Sequence, residues 1–253
     1  MDVVAGVEAL RPEHGPVFAV VGVFDGLHRG HLYLLDHLER EAASRGARAT
    51  VITFDHHPDE VITGTAPPLL LDPQERLERL ERAGVDVTVV QHFDDAVRRT
   101  TYDRFIEMIR ERTTLSGLVM TPDAAFGFER RGTPAVLAEL GARDGFDVVV
   151  VPPFTLDGRP VRSSDVRAAI AAGDLATAEA LLGRPVTIAG IAGPRRDGAG
   201  ATLAFAWPMA LPPDGTYDCA VHDATGRLHI VAGEVTLGGA VVEPGRVSVT
   251  LLA

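Results

Sequence analysis

From Val17 to about Gly183, short continuous apolar runs alternate with stretches whose apolar residues recur at helical spacing. The runs fall at 17–23, 49–54, 85–90, 118–121 and 146–151. Because they are continuous rather than alternating, they read as strands buried on both faces. The stretches between them are amphipathic. One, at 73–83, is opened by Asp72 and Pro73 and closed by Gly84, a start and a stop that helices favour. Strand–helix alternation of this kind predicts an α/β fold built on a doubly wound parallel sheet. After Gly183 the pattern changes to short Val, Ala and Leu runs broken by Gly and Pro, with Pro-Pro-Asp-Gly at 212–215 and Gly-Gly at 238–239. That spacing predicts a small antiparallel β domain. The expected organisation is one domain over residues 1–185 and a second over 186–253.

Composition narrows the function. The 253 residues are 46% hydrophobic and 23% charged, an ordinary globular balance. No apolar run is long enough to cross a bilayer, and residues 1–16 lack a basic start followed by an apolar stretch, so neither a membrane span nor a secretory leader is expected. The single cysteine, Cys219, excludes an internal disulfide and a cysteine-built metal site, and fits the cytoplasm. A net charge of −11 disfavours nucleic acid and anionic membranes as partners. A phosphate-bearing substrate must therefore be held by a local cluster of positive groups. The chain has no lysine and no asparagine. A phosphate-binding P-loop needs its lysine, and Schiff-base chemistry needs an amine, so both are excluded.

Two segments carry candidate chemistry. The first strand runs into Gly22-Val23-Phe24-Asp25-Gly26-Leu27-His28-Arg29-Gly30-His31, with a helix expected to begin near Gly30. Ligands bind doubly wound sheets at the carboxyl ends of the strands, and helix N-termini attract phosphate. His28 and His31, three residues apart at a helix start, can face one ligand and donate hydrogen bonds to a phosphoryl group in its transition state. Gly30 lets a phosphate approach the backbone. Zinc ligation is the competing reading of these histidines, with His56 and His57 as the further ligands; no resident metal site is expected. The second segment is Arg162-Ser163-Ser164-Asp165-Val166-Arg167. Its hydroxyls either cap a helix or, with the flanking arginines, hold a di- or triphosphate.

The motif Gly-x-Phe-Asp-Gly-x-His-x-Gly-His resembles that of the bacterial bifunctional riboflavin kinase/FMN adenylyltransferases (FAD synthetases), whose first domain belongs to the HxGH nucleotidyltransferase superfamily. Further matching segments follow in order: Thr53-Phe54-Asp55-His56-His57-Pro58, Phe126-Gly127 with Arg130 and Gly132, Ser163-Ser164 with Arg167, and Leu181-Leu182-Gly183-Arg184-Pro185. The resemblance implies transfer of AMP from ATP to FMN, giving FAD and pyrophosphate, with Mg²⁺ escorting the triphosphate. It implies His28, His31 and Arg167 as catalytic, and Gly22, Phe24, Asp25, Gly30, Arg162, Ser163 and Ser164 as nucleotide-binding. Phe54, Asp55, His57, Asp123, Phe126 and Arg130 are implied on the acceptor side.

The chain departs from the family's pattern at several positions. His56 stands where the family has proline, Ala124 and Ala125 interrupt its Asp-Phe-x-Phe-Gly, and Arg162 replaces the first serine of its Ser-Ser-Thr-x-Ile-Arg. Leu211-Pro212-Pro213-Asp214-Gly215-Thr216-Tyr217 matches a kinase-domain strand start, but that domain's Gly-Phe-Pro-Thr-Ala-Asn has become Ala204-Phe205-Ala206-Trp207-Pro208-Met209. Riboflavin kinase activity is therefore expected to be absent. Two other readings remain open. One is a paralogue that moves AMP or CMP to another phosphorylated small molecule, and the other is a non-catalytic nucleotide- or flavin-binding regulator. Neither the nucleotide base nor the oligomeric state is legible.

Overall fold

The structure is a computed structural model that describes residues 1–194, 200–222, 224–239 and 242–252. The chain forms two compact units, each gathered from several segments. The first takes 1–24, 30–67 and 77–160, and the second takes 25–29, 68–76 and 161–253.

The first unit is built on six strands: β1 (Asp2–Ala5), β2 (Val17–Val21), β3 (Arg48–Phe54), β4 (Val87–Gln91), β5 (Leu115–Met120) and β6 (Asp147–Val150). They form one sheet in the order β1-β4-β3-β2-β5-β6, and every neighbouring pair is parallel. Helices α1 (Arg29–Ser44), α2 (Pro58–Thr63), α3 (Pro73–Arg82), α4 (Asp95–Arg99), α5 (Tyr102–Arg110) and α6 (Pro134–Asp144) lie in the connections. The chain winds from β2 outward to β3 and β4, then returns to β5 and β6. The switch point, where such sheets bind ligands, is thus at β2 and β5. A two-residue ribbon, β7 (Thr155–Leu156) with β8 (Arg159–Pro160), follows β6.

All five expected strands form, with shifted ends. β5 begins at Leu115, three residues early, because Ser116 and Gly117 interrupt the apolar run without interrupting the strand. Gly117 is required there by packing: a Cβ would lie 2.4 Å from the Phe18 ring. β1 lies outside the expected set. It is a short edge strand pairing only with β4; its apolar run, Val3-Val4-Ala5, is three residues long, and of its four residues only Val4 is buried.

In the second unit, α7 (Ser163–Ala171) and α8 (Leu175–Leu182) precede β9 (Thr187–Pro194), β10 (Ala201–Ala204), β11 (Gly215–Val221), β12 (Ala224–Val231), β13 (Glu234–Gly238) and β14 (Gly245–Leu251). These six strands close into an antiparallel barrel, β10-β13-β12-β11-β14-β9. Its interior follows the period of two: Val247, Val249 and Leu251 of β14 are buried while the residues between them are not. Val166, Ile170 and Leu182 of the helices share one core with Ile188, Leu228 and Val249 of the barrel. No helix among the described residues is long and apolar enough to cross a membrane.

Candidate functional site

The loop after β2 turns through left-handed backbone at Phe24 (φ 54°), Gly26 (φ 84°) and Leu27 (φ 39°). Such geometry is costly for Phe and Leu and gathers at functional sites. Within the second unit this loop meets the start of α7. The Asp25 carboxylate, 3% exposed, accepts from the backbone N–H groups of Leu70 and Leu71 and from the Arg167 guanidinium at 2.6 Å. Ser163 Oγ donates to the Asp25 carbonyl at 2.9 Å, and Arg167 Nε donates to the Pro68 carbonyl at 2.8 Å. Two sequence motifs 138 to 142 residues apart are thereby joined. Ser163 does not cap α7: the N-cap is Arg162, with no side-chain cap bond, and Ser163 is the first helical residue. Ser164 and Arg162 are exposed.

His28, the residue before α1, is 4% exposed. Burial and then the positive charge of Arg184 push its pKa down to about 4, with Arg167 adding to the effect. The ring is therefore neutral at pH 7, so one nitrogen donates and the other accepts. Arg184 also donates to the Gly26 carbonyl at 2.8 Å. Arg184 stands in one of the matching segments, yet it falls outside the expected site residues because nothing local says that it reaches back to the loop. The group as a whole sets a neutral imidazole near two guanidinium groups, one of them paired with the Asp25 carboxylate.

Other candidates lie in the first unit. His31, the third residue of α1, packs its ring against Phe24 with centroids 5.1 Å apart. Gly22 continues the line of β2, its N–H donating to the Ile52 carbonyl. Gly30 is the second residue of α1. Phe54 ends β3 and meets Phe93 edge-on at 5.2 Å. Asp55 lies between two imidazoles, 2.7 Å from His56 Nδ1 and 2.6 Å from His92 Nδ1. Burial works to raise the Asp55 pKa, but the hydrogen bonds from His92 and the Phe93 N–H and the charges of both imidazoles hold it below the usual carboxylate value. The His92 pKa is raised by the same contact. His57 instead caps α2, its Nδ1 accepting from the Asp59 N–H.

Beyond β5, Asp123 accepts from Thr121 Oγ1 at 2.7 Å, and its carbonyl accepts from Arg130 at 3.2 Å. Phe126 lies edge-on to Phe105 at 5.7 Å and bridges to Gly132. Gly127 (φ 78°) brings the backbone against Tyr102 so closely that a Cβ would lie 2.5 Å from its nitrogen. Asp123, Phe126 and Arg130 thus belong to one tight loop. His92 has no sequence signal, since it reaches Asp55 across 37 residues only because β4 lies beside β3.

Comparison with known proteins gives a consistent result. A family model described as FAD synthetase matches residues 10–165. A bifunctional riboflavin kinase/FMN adenylyltransferase of Pseudomonas fluorescens is 35% identical over 191 residues, covering 75% of this chain and 61% of that protein. Its counterpart in Escherichia coli (strain K12) is 34% identical over 194 residues, covering 75% and 62%. The chain thus matches about three fifths of the length of these relatives. A crystal structure described as a macrolide-efflux protein from Streptococcus pneumoniae shares the fold, with a TM-score of 0.82 and 22% identity over 99% of this chain and 89% of that one.

Proposed function

The chain belongs to the FAD synthetase family, and on that premise we propose that it transfers AMP from ATP to FMN, forming FAD and releasing pyrophosphate. A phosphate oxygen of FMN attacks the α-phosphorus of ATP, and the bond from that phosphorus to the oxygen bridging to the β-phosphate breaks. No covalent intermediate is needed, because positioning and electrostatics suffice for direct displacement.

The observation that carries this reading is the joining of Asp25, Ser163 and Arg167 around the loop that holds buried, neutral His28. His28 and His31 donate to the α-phosphate oxygens as their charge grows. Arg167 has five N–H donors, of which its bonds to Asp25 and Pro68 use two; the fork then serves the β- and γ-phosphates. Asp25 acts by orienting Arg167. Ser163, Ser164 and Arg162 add hydroxyl, backbone and charge at the start of α7. Gly30 lets the nucleotide approach the backbone, Gly22 leaves room for the Phe24 ring, and Phe24 backs His31. Mg²⁺ enters bound to ATP, as part of the substrate. Phe54, Asp55, His57, Asp123, Phe126 and Arg130 serve the acceptor.

We further propose that the barrel has no riboflavin kinase activity, because 204–209 lacks the family's Thr and Asn. A reading with a different phosphorylated acceptor is favoured by one observation: His56, foreign to the family's motif, takes up Asp55 on the acceptor side. The test is pyrophosphate release from MgATP with FMN, riboflavin, and glycerol or choline phosphate in turn. The proposal expects release with FMN alone and no FMN made from riboflavin. Release with another acceptor and not with FMN would replace it with the paralogue.

A further inference from the structure

At the carboxyl ends of the adjacent strands β3 and β4, three side chains converge that the transfer reaction does not need as a set. Asp55 follows β3 directly, with His56 beside it, and His92 follows β4 directly. One oxygen of the Asp55 carboxylate lies 2.7 Å from His56 Nδ1, and the other lies 2.6 Å from His92 Nδ1. One ligand atom from each of the three residues lies within 4.8 Å of the others.

We propose that Asp55, His56 and His92 bind one late first-row divalent cation of the zinc, nickel or cobalt type. Two imidazoles and one carboxylate suit these ions, whereas magnesium takes an all-oxygen shell. Metal–ligand bonds of about 2.0–2.2 Å put neighbouring ligand atoms roughly 3.0–3.5 Å apart, so the three groups close on an ion by modest side-chain rotation. The carboxylate is already oriented, because Oδ1 accepts from the backbone N–H groups of His56 and Phe93. Outer-shell bonds of that kind are what hold a metal ligand in place. His92 is 68% exposed in its side chain, which leaves the outer side of the cluster open to water as remaining ligands. The charge is favourable as well, since Asp94 adds a second negative group near His92.

The reading shares Asp55 with the proposed acceptor side but does not rest on the transfer reaction. It is tested on the full, tag-free chain, stripped with a chelator and titrated with Co²⁺, whose visible d–d bands report imidazole ligation directly. The expected result is one equivalent bound with such bands, and binding at least tenfold weaker in His92→Ala, which removes an exposed ring without disturbing the fold. His56→Pro, which restores the family's residue, is expected to lose the bands as well. If that variant fails to fold, His92→Ala decides alone. Absence of stoichiometric binding in the wild type, or an unchanged affinity and spectrum in His92→Ala, overturns the proposal.

Discussion

His28 links chemistry to stability through its burial. Its folded pKa of about 4 lies below the ordinary 6.5, so between those values the unfolded chain binds the extra proton. The neutral ring therefore contributes stability that is complete above pH 6.5 and is lost as the pH falls through about 4. The size is on the order of 3 kcal/mol. His28→Gln removes this dependence, so the difference in urea-unfolding free energy between wild type and variant should shrink by about that amount from pH 7 to pH 4. A difference that stays constant with pH would contradict the burial of a neutral ring. Gly26 makes a second residue-level case. At φ 84° and with Leu70 Cδ1 2.7 Å from where a Cβ would sit, Gly26→Ala should cost about 1–3 kcal/mol in the same assay. The two histidines, the paired serines and Arg167 are legible in the sequence because they stand in local motifs. The ion pair of Asp25 with Arg167 spans 142 residues and the contact of Asp55 with His92 spans 37, and no local pattern encodes either.

Five strands of the sheet are legible as elements because each carries a continuous apolar run, and their parallel pairing follows from strand–helix alternation; the edge strand β6 is nonetheless only partly buried, with Asp147 and Val150 exposed. β1 escapes such a reading because the apolar run of this edge strand, with one buried side chain, is only three residues long. The early start of β5 escapes it because Gly117 reads as a break, whereas the Phe18 ring of β2 occupies the space its side chain would need. Gly117→Ala should therefore destabilise the sheet by about 2–3 kcal/mol, seen as a lower urea midpoint with an unchanged slope. A neutral substitution would mean that Phe18 repacks freely. At α7, hydroxyls that could have been caps are not caps: Ser163 bonds the loop after β2 instead. Only the three-dimensional partner distinguishes those two uses.

At the scale of the whole molecule, the second unit is assembled from three stretches of chain, and the short stretches 25–29 and 68–76 are held to the long one. Leu69 exchanges backbone bonds with Pro208 and Ala210, Thr187 donates to Glu75 at 2.9 Å, and Arg246 pairs with Asp72 at 2.9 Å. The barrel thus braces the segment whose N–H groups hold Asp25. A chain cut after Pro185 would uncover Leu70, Val166, Ile170 and Leu182, which share the barrel's core. It should lose the amide-exchange protection of 25–29 and 68–76. Retained protection there would show that the barrel is dispensable. The most direct test of the transfer reaction is chromatographic detection of FAD from ATP, Mg²⁺ and FMN, with wild type and His28→Gln compared alongside their ATP affinities. FAD formed by the wild type, reduced about 10²–10³-fold in the variant while ATP affinity changes only a few-fold, is the expected result. Folded wild-type protein that binds ATP and forms no FAD would contradict it.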